Sequence, residues 1–87
     1  MAELIRSYTE RVREAAGEEY TACAFGEKRA DGNWEGWLEF SSTSGAVRRT
    51  ARETTQPNRR AIEYWASGLE PIYLEGAFAR AVRHPMT

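Results

Sequence analysis

The side chains best suited to chemistry in this chain are arginines and amides gathered where a predicted strand runs into a predicted helix. They are Arg48, Arg52, Gln56, Asn58, Arg59 and Arg60. A guanidinium group binds phosphate or carboxylate through two parallel hydrogen bonds, and the first turn of a helix adds unpaired N–H groups and partial positive charge. This arginine corner is therefore a candidate site for a phosphate ligand or a nucleic-acid backbone.

A structural role explains the same arginines. Arg48 and Arg52 alternate along a predicted strand whose neighbour carries Glu35 and Glu39 at the same period. Opposite charges that face each other across two strands stabilise a sheet and keep its surface soluble. The sequence leaves both interpretations open, and we favour the structural one.

The second candidate is a protein interface around Phe25 and Trp37. Both lie on the side of their predicted strands that faces away from the core, so something must cover them. One cover is a predicted N-terminal helix that carries Ile5, Tyr8 and Val12. The other is a second copy of the chain or a different protein, because an aromatic residue ringed by charges is typical of an interface hot spot.

The chain offers no residue set for catalysis or for a structural metal. It has one cysteine, Cys23, and one histidine, His84, so the Cys and His ligands of a zinc site are missing. Cys23 has no basic neighbour in sequence to form a thiolate, which favours a small buried side chain. We therefore predict a protein that is not an enzyme and uses no cofactor.

Composition predicts one small domain over residues 1–87. The 12 basic and 13 acidic side chains nearly cancel, so the molecule as a whole does not attract nucleic acid or an anionic membrane over long distances. We expect a cytoplasmic protein, since the sequence shows neither a long apolar run nor a signal peptide. A core of this size gains stability from dimerisation, so a homodimer or another protein partner is expected.

Residues 1–19 are predicted to contain an amphipathic helix. Ile5, Tyr8, Val12 and Ala15 recur at intervals of three and four among charged residues, which is the period of a helix. Gly17 is placed to end it.

Residues 20–54 predict three antiparallel strands. Two alternating runs flank Asp31-Gly32, which indicates a tight turn with positive φ at both central residues. In the second run every other residue is predicted to face the core, and Gly36 there indicates either a bulge or the close approach of a helix. In the third, Val47 is predicted to point inward and Arg48 outward.

Residues 56–84 predict two helices. Thr54 or Thr55 is the expected N-cap of the first, Gln56 and Asn58 are further capping groups, and Gly68 is expected to end it in the left-handed conformation. The second is predicted to begin at Pro71 and to end at His84-Pro85. The predicted fold is α+β, a three-stranded antiparallel meander with helices packed on one face, in the order αβββαα.

Three segments resemble a family of small bacterial proteins to which no function is assigned. They are Trp34-Glu-Gly-Trp-Leu-Glu-Phe40, Arg52-Glu-Thr-Thr-Gln-Pro-Asn58 and Ala61-Ile-Glu-Tyr-Trp-Ala-Ser-Gly-Leu-Glu-Pro-Ile-Tyr-Leu-Glu-Gly-Ala77. The resemblance covers roughly residues 20–81 and implies no activity, cofactor or catalytic residue. By element order alone, αβββα also resembles double-stranded-RNA-binding domains, although Lys28 is the only lysine in the chain.

Overall fold

A computed structural model describes residues 1–83 as one antiparallel sheet with two helices. Five strands precede the helices in the chain and one follows them, so the predicted order αβββαα is wrong. Along the sheet the spatial order is β1-β2-β3-β4-β6, and β5 pairs with the other end of β3. The elements are β1 (Glu3–Arg13), β2 (Glu19–Lys28), β3 (Trp34–Ser42), β4 (Val47–Arg49), β5 (Thr54–Gln56), α1 (Arg59–Ser67), α2 (Pro71–Arg80) and β6 (Val82–Arg83).

The predicted N-terminal helix is strand β1, which pairs with β2. The pairing is irregular at two places: one extra residue lies between Leu4 and Arg6, and two more lie between Ser7 and Arg11. Extra residues in a strand change the spacing at which side chains reach the same face. The extra residue at Ile5 therefore produces the interval of three between Ile5 and Tyr8, whereas the interval of four between Tyr8 and Val12 fits the ordinary alternation of a strand. Together the two intervals imitate a helix. The apolar residues at those intervals still face the core side, where Ile5 packs on the core and Tyr8 and Val12 are buried.

Strands β2 and β3 form the predicted hairpin, but its turn is longer than predicted. Their pairing ends at Lys28 and Trp34, which leaves residues 29–33 as the connection. Within it Gly32 has φ of +91°, and no residue other than glycine has positive φ in residues 1–83. The side chain of Asp31 instead accepts a hydrogen bond from the Asn33 N–H at 2.9 Å, which stabilises the loop.

The third strand, predicted over residues 46–53, is a strand only at β4, and the unpredicted strand β5 follows it. Residues 50–53 form an irregular segment between them, opposite the middle of β3, where the Thr50 N–H donates to the Leu38 carbonyl. The buried Thr50 hydroxyl oxygen in turn accepts from the Leu38 N–H at 3.0 Å. Arg48 lies opposite Phe40, a core residue, and Arg49 lies opposite Glu39. The predicted register is therefore wrong by one residue, because Arg48 points inward and Arg49 outward.

Helix α1 begins after Asn58, whose side-chain oxygen accepts from the Ala61 N–H at 2.9 Å. This confirms Asn58 as a capping residue. Thr54 and Thr55 are not caps, because both belong to β5, and the Gln56 amide group donates to the Thr54 hydroxyl. At the other end of α1, Gly68 has φ of −94°, so the predicted left-handed ending is wrong.

Helix α2 begins at Pro71 as predicted and completes a two-layer structure. Its Leu74, Ala77 and Phe78 are buried against the inner face of the sheet. The Phe78 ring lies 4.9 Å from that of Tyr20 and 5.2 Å from that of Phe40, centroid to centroid. Helix α2 ends at Arg80 and Val82–Arg83 form β6, so the prediction that the helix continues to His84-Pro85 is wrong. His84 and Pro85 themselves lie outside the described residues.

Two glycines let α1 lie close to the sheet. Gly26 and Gly36 face each other on β2 and β3 beneath Ile62 and Trp65 of the helix. A Cβ atom on Gly36 would stand 3.0 Å from Trp65 Cζ3 and 3.2 Å from Ile62 Cδ1. The prediction that Gly36 marks either a bulge or the close approach of a helix is resolved in favour of the helix. Gly26 and Gly36 together form a flat surface on which α1 packs.

Tyr8 ties β1 to α1 by donating its hydroxyl hydrogen to the buried Ala66 carbonyl at 2.6 Å. Burial is the main reason that the pKa of this phenol is raised to about 12, and the nearby Arg6 guanidinium opposes the rise. The neutral hydroxyl is the form that the fold requires, since only that form can donate the hydrogen bond.

We expect the free energy of unfolding to fall between about pH 10 and pH 12 because of Tyr8. The unfolded chain releases the phenol proton near pH 10, whereas the folded chain holds it up to about 12. The contribution of the neutral phenol is thus complete below pH 10 and is lost as the pH rises through 12. Melting temperatures across this range should fall less steeply for Tyr8→Phe than for the parent. Tyr64→Phe, at an exposed position, is the control and should keep the parent slope.

Candidate interaction surfaces

Within residues 1–83, helices cover the sheet on one face only. The opposite face, here called the open face, carries a row of three apolar side chains that lie directly opposite one another on β1, β2 and β3. These are Leu4, Phe25 and Trp37. A second row beside it contains Ser7, Cys23, Glu39, Arg49 and Val82. The open face therefore mixes aromatic, aliphatic and charged groups, as the rim and core of protein interfaces do.

Trp37 lies on the predicted side of the sheet but is covered by its own chain. Its side chain is 2% exposed. The Arg49 guanidinium lies 4.3 Å from the ring centroid, the Phe25 ring stacks at 6.3 Å, and the indole N–H donates to Glu39 Oε2 at 3.1 Å. The predicted cover of Ile5, Tyr8 and Val12 is wrong, because those residues pack on the other face. Phe25, which is half-buried, and Leu4, which is 53% exposed, remain accessible.

The outer edge of β1 is a second open surface. Among residues 1–83, no strand pairs with β1 on the side away from β2. Most of its 11 residues are exposed, with Tyr8 and Val12 the buried exceptions. An edge strand presents unpaired N–H and C=O groups along its length, which another strand can pair with. A helix over residues 1–19 would have no strand edge, so the sequence pattern does not predict this surface.

The six residues of the arginine corner are not brought together at one point. Arg48 lies beside Phe40 near one end of β3, whereas β5, which leads to α1, pairs with the other end. The Arg48 guanidinium lies over the Tyr20 ring at 5.2 Å and over the Phe78 ring at 4.8 Å, and it binds Glu14 at 2.5 Å. Arg48 thus packs between the layers, and its predicted pairing with Glu35 and Glu39 is wrong.

At the start of α1 the polar groups are largely occupied by the chain itself. Arg59 forms ion pairs with Glu3, at 2.9 Å, and with Glu63. Asn58 caps the helix, and Gln56 donates to Thr54 at 2.7 Å. Arg52 and Arg60 are exposed, and neither forms an ion pair within residues 1–83. Of the four arginines predicted as anion ligands, Arg52 and Arg60 are thus the two without an ion pair in the described residues.

A polar cluster that sequence reasoning missed lies between the irregular segment and α2. One carboxylate oxygen of Glu53 accepts from the Tyr73 hydroxyl at 2.5 Å and from Arg80 Nη2 at 2.6 Å. The Glu53 side chain is 9% exposed, so the carboxylate relies on these donors in place of water. Burial, followed by the hydrogen bond to Glu53, raises the pKa of Tyr73. The cluster fastens α2 to the sheet.

Within residues 1–83, no group of three or more His, Cys, Asp or Glu side chains is arranged to hold a metal ion. Neither helix in that range has the length and apolar character needed to cross a bilayer. Comparison of the chain with known protein families, with curated proteins and with solved structures found no match. The surfaces described above are therefore the features of the molecule that bear on its function.

Proposed function

We propose that this protein is a small, non-enzymatic interaction module that associates with a second copy of itself. The observation that carries the proposal is the one-sided covering of the sheet: in the part of the chain that the structure describes, helices lie on one face, and the other face and the β1 edge are left open. A sheet with an open face and a free edge is usually protected in natural proteins by pairing, covering or charge.

The polar side chains of the described part support a binding role over a catalytic one. Glu53 is engaged with Tyr73 and Arg80, and Glu14 is engaged with Arg48. These contacts hold the layers together. The carboxylates that could otherwise act as an acid or a base therefore have a structural role. Exposed residues along β1 and over the open face lie where a partner could reach them.

Binding of a nucleic acid or a phosphate ligand at the arginine corner has less support. Such a site needs several cations aimed at one ligand. Here Arg48 and Arg59 form ion pairs with glutamates of the same chain. Arg52 and Arg60 would therefore have to bind the anion without the charges of the other two arginines. Titration with inorganic phosphate and single-stranded RNA at low salt tests this alternative.

The proposal is tested by measuring the mass of the protein in solution against its concentration. The chain has a mass of 9.9 kDa. Light scattering up to about 1 mM, which detects an association as weak as about 4 kcal/mol, should show the mass rising toward twice that value. A mass that stays at 9.9 kDa over the whole range would contradict self-association. In an NMR titration with phosphate or RNA, chemical-shift changes confined to residues 48–60 would favour binding at the arginine corner instead.

A further inference from the structure

We propose that two copies of the chain associate through the outer edges of their β1 strands, which pair antiparallel about Tyr8. This inference rests on the proposed self-association and names the surface and the register that achieve it. The sheet would then continue across the contact, so that one sheet runs through both copies.

The charges along β1 match those of the same strand read in the opposite direction. A two-fold axis at Tyr8 places Arg6 of one copy opposite Glu10 of the other, and it does so twice because the contact is symmetric. Ser7 then faces Thr9, a pair that can form a hydrogen bond across strands. No like charges face each other in residues 6–10.

The neighbouring registers lose this match. A shift of one residue in one direction places Arg6 opposite Arg11 of the second copy, which brings like charges together. A shift of one residue in the other direction places Arg6 opposite Thr9 and leaves its charge without a partner. Charge therefore selects the register centred on Tyr8 and disfavours its nearest alternatives.

Arg6 and Glu10 are available for such a contact. Both side chains are exposed. The ion pairs of β1 within the described residues involve Glu3, Arg11 and Arg13, and neither Arg6 nor Glu10 takes part in one. A second copy would give each of them a partner without breaking an existing ion pair.

The irregular pairing of β1 with β2 is compatible with this contact over residues 6–10. Ser7 and Arg11 lie opposite Cys23 and Thr21, so β1 has two more residues than β2 between these pairs. An insertion of two residues keeps the alternation of side chains, which places Arg6 and Glu10 on the same face. The single extra residue at Ile5 shifts the alternation and so limits the regular contact at that end.

The test uses charge reversal and rescue in the full-length chain. Arg6→Glu and Glu10→Arg should each weaken dimerisation at least about tenfold, because each places like charges opposite one another at two points. The double variant Arg6→Glu/Glu10→Arg should return the dissociation constant to within about threefold of the parent. Arg60→Glu makes the same change of net charge as Arg6→Glu, at an exposed position on α1, and should leave dimerisation unaltered.

Mixing the two single variants provides a second readout. Each weakens its own dimer, but a mixed dimer would have opposite charges at both points, so native mass spectrometry should show mainly the mixed species. A parent that dimerises while neither single variant weakens it, or a double variant that fails to recover, would overturn the β1 contact and leave self-association standing. A parent that stays monomeric, with no mixed dimer, would overturn both.

Discussion

Gly36→Val should lower the free energy of unfolding by about 3 kcal/mol or more, enough to remove much of the stability of a domain of this size. The cause is the close approach of α1 to the sheet. Even the first carbon of a side chain at Gly36 would stand 3.0 Å from Trp65, 3.1 Å from Thr54 Cγ2 and 3.2 Å from Ile62. Valine adds two methyl groups in the same space, so α1 must move away from β3. Urea or thermal unfolding followed by circular dichroism measures the loss.

The matched control is Gly76→Ala in α2. A Cβ atom there would meet only Arg80 Nη1, at 3.7 Å, and Gly76 does not have positive φ. Replacing glycine by alanine inside a helix is expected to stabilise it by about 0.5–1 kcal/mol. The two substitutions should therefore change stability in opposite directions. A Gly36→Val variant as stable as the parent would mean that α1 does not pack on the glycine pair.

Phe78→Ala should cost about 3–5 kcal/mol, the usual loss for a large aromatic residue in a core. Phe78 contacts the Tyr20 and Phe40 rings of the sheet and lies beneath the Arg48 guanidinium. Its removal leaves a cavity between the layers and takes away one of the surfaces on which Arg48 packs. Denaturant unfolding should show a lower midpoint, and at the upper end of this range the variant would be largely unfolded at 37 °C.

Ile72→Ala on the same helix is the control for this substitution. Ile72 is 79% exposed, so its truncation removes little buried surface and should change stability by less than about 0.5 kcal/mol. If both variants lost the same stability, α2 would not be oriented with Phe78 toward the sheet.

Sequence patterns predicted best the elements that begin or end at a residue with a specific backbone role. The Asp31-Gly32 turn joins two strands, Asn58 caps α1, and Pro71 opens α2. In each case a local backbone requirement selects the residue type, so the residue identifies the structure. Gly36 was informative for another reason, because a missing side chain among large ones marks a place where something else comes close.

The N-terminal segment was mispredicted because the bulge at Ile5 changed the spacing of its apolar residues. Gly17 reinforced the mistake, since a glycine with positive φ serves equally well to end a helix or to make the turn between two strands. Its φ is +97°, and its N–H donates to the Glu14 carbonyl in the turn between β1 and β2. With β1 taken for a helix, the free edge and its charge pattern could not be predicted.

The arginine corner was mispredicted because β4 and β5 pair with opposite ends of β3 and because Arg48 lies one step out of the predicted register. Because Arg48 and Arg49 are adjacent, a shift of one residue exchanges which of them faces the core. The choice depends on residues distant in sequence: Tyr20 and Phe78 stack with Arg48, and Trp37 stacks with Arg49. Local patterns carry no information about such partners, so the sequence alone predicted a cluster that the fold separates.

Amide hydrogen exchange of β1, measured residue by residue at low and at high protein concentration, tests the central claim most directly. The claim is that the N-terminal segment is an edge strand that pairs with a second copy. We predict that exchange in residues 6–10 slows as concentration rises, because pairing gives the outward N–H groups of the edge a partner. Amides of β2 and β3, already paired within the sheet, should change little by comparison. Exchange in residues 6–10 that is rapid and independent of concentration would contradict the account.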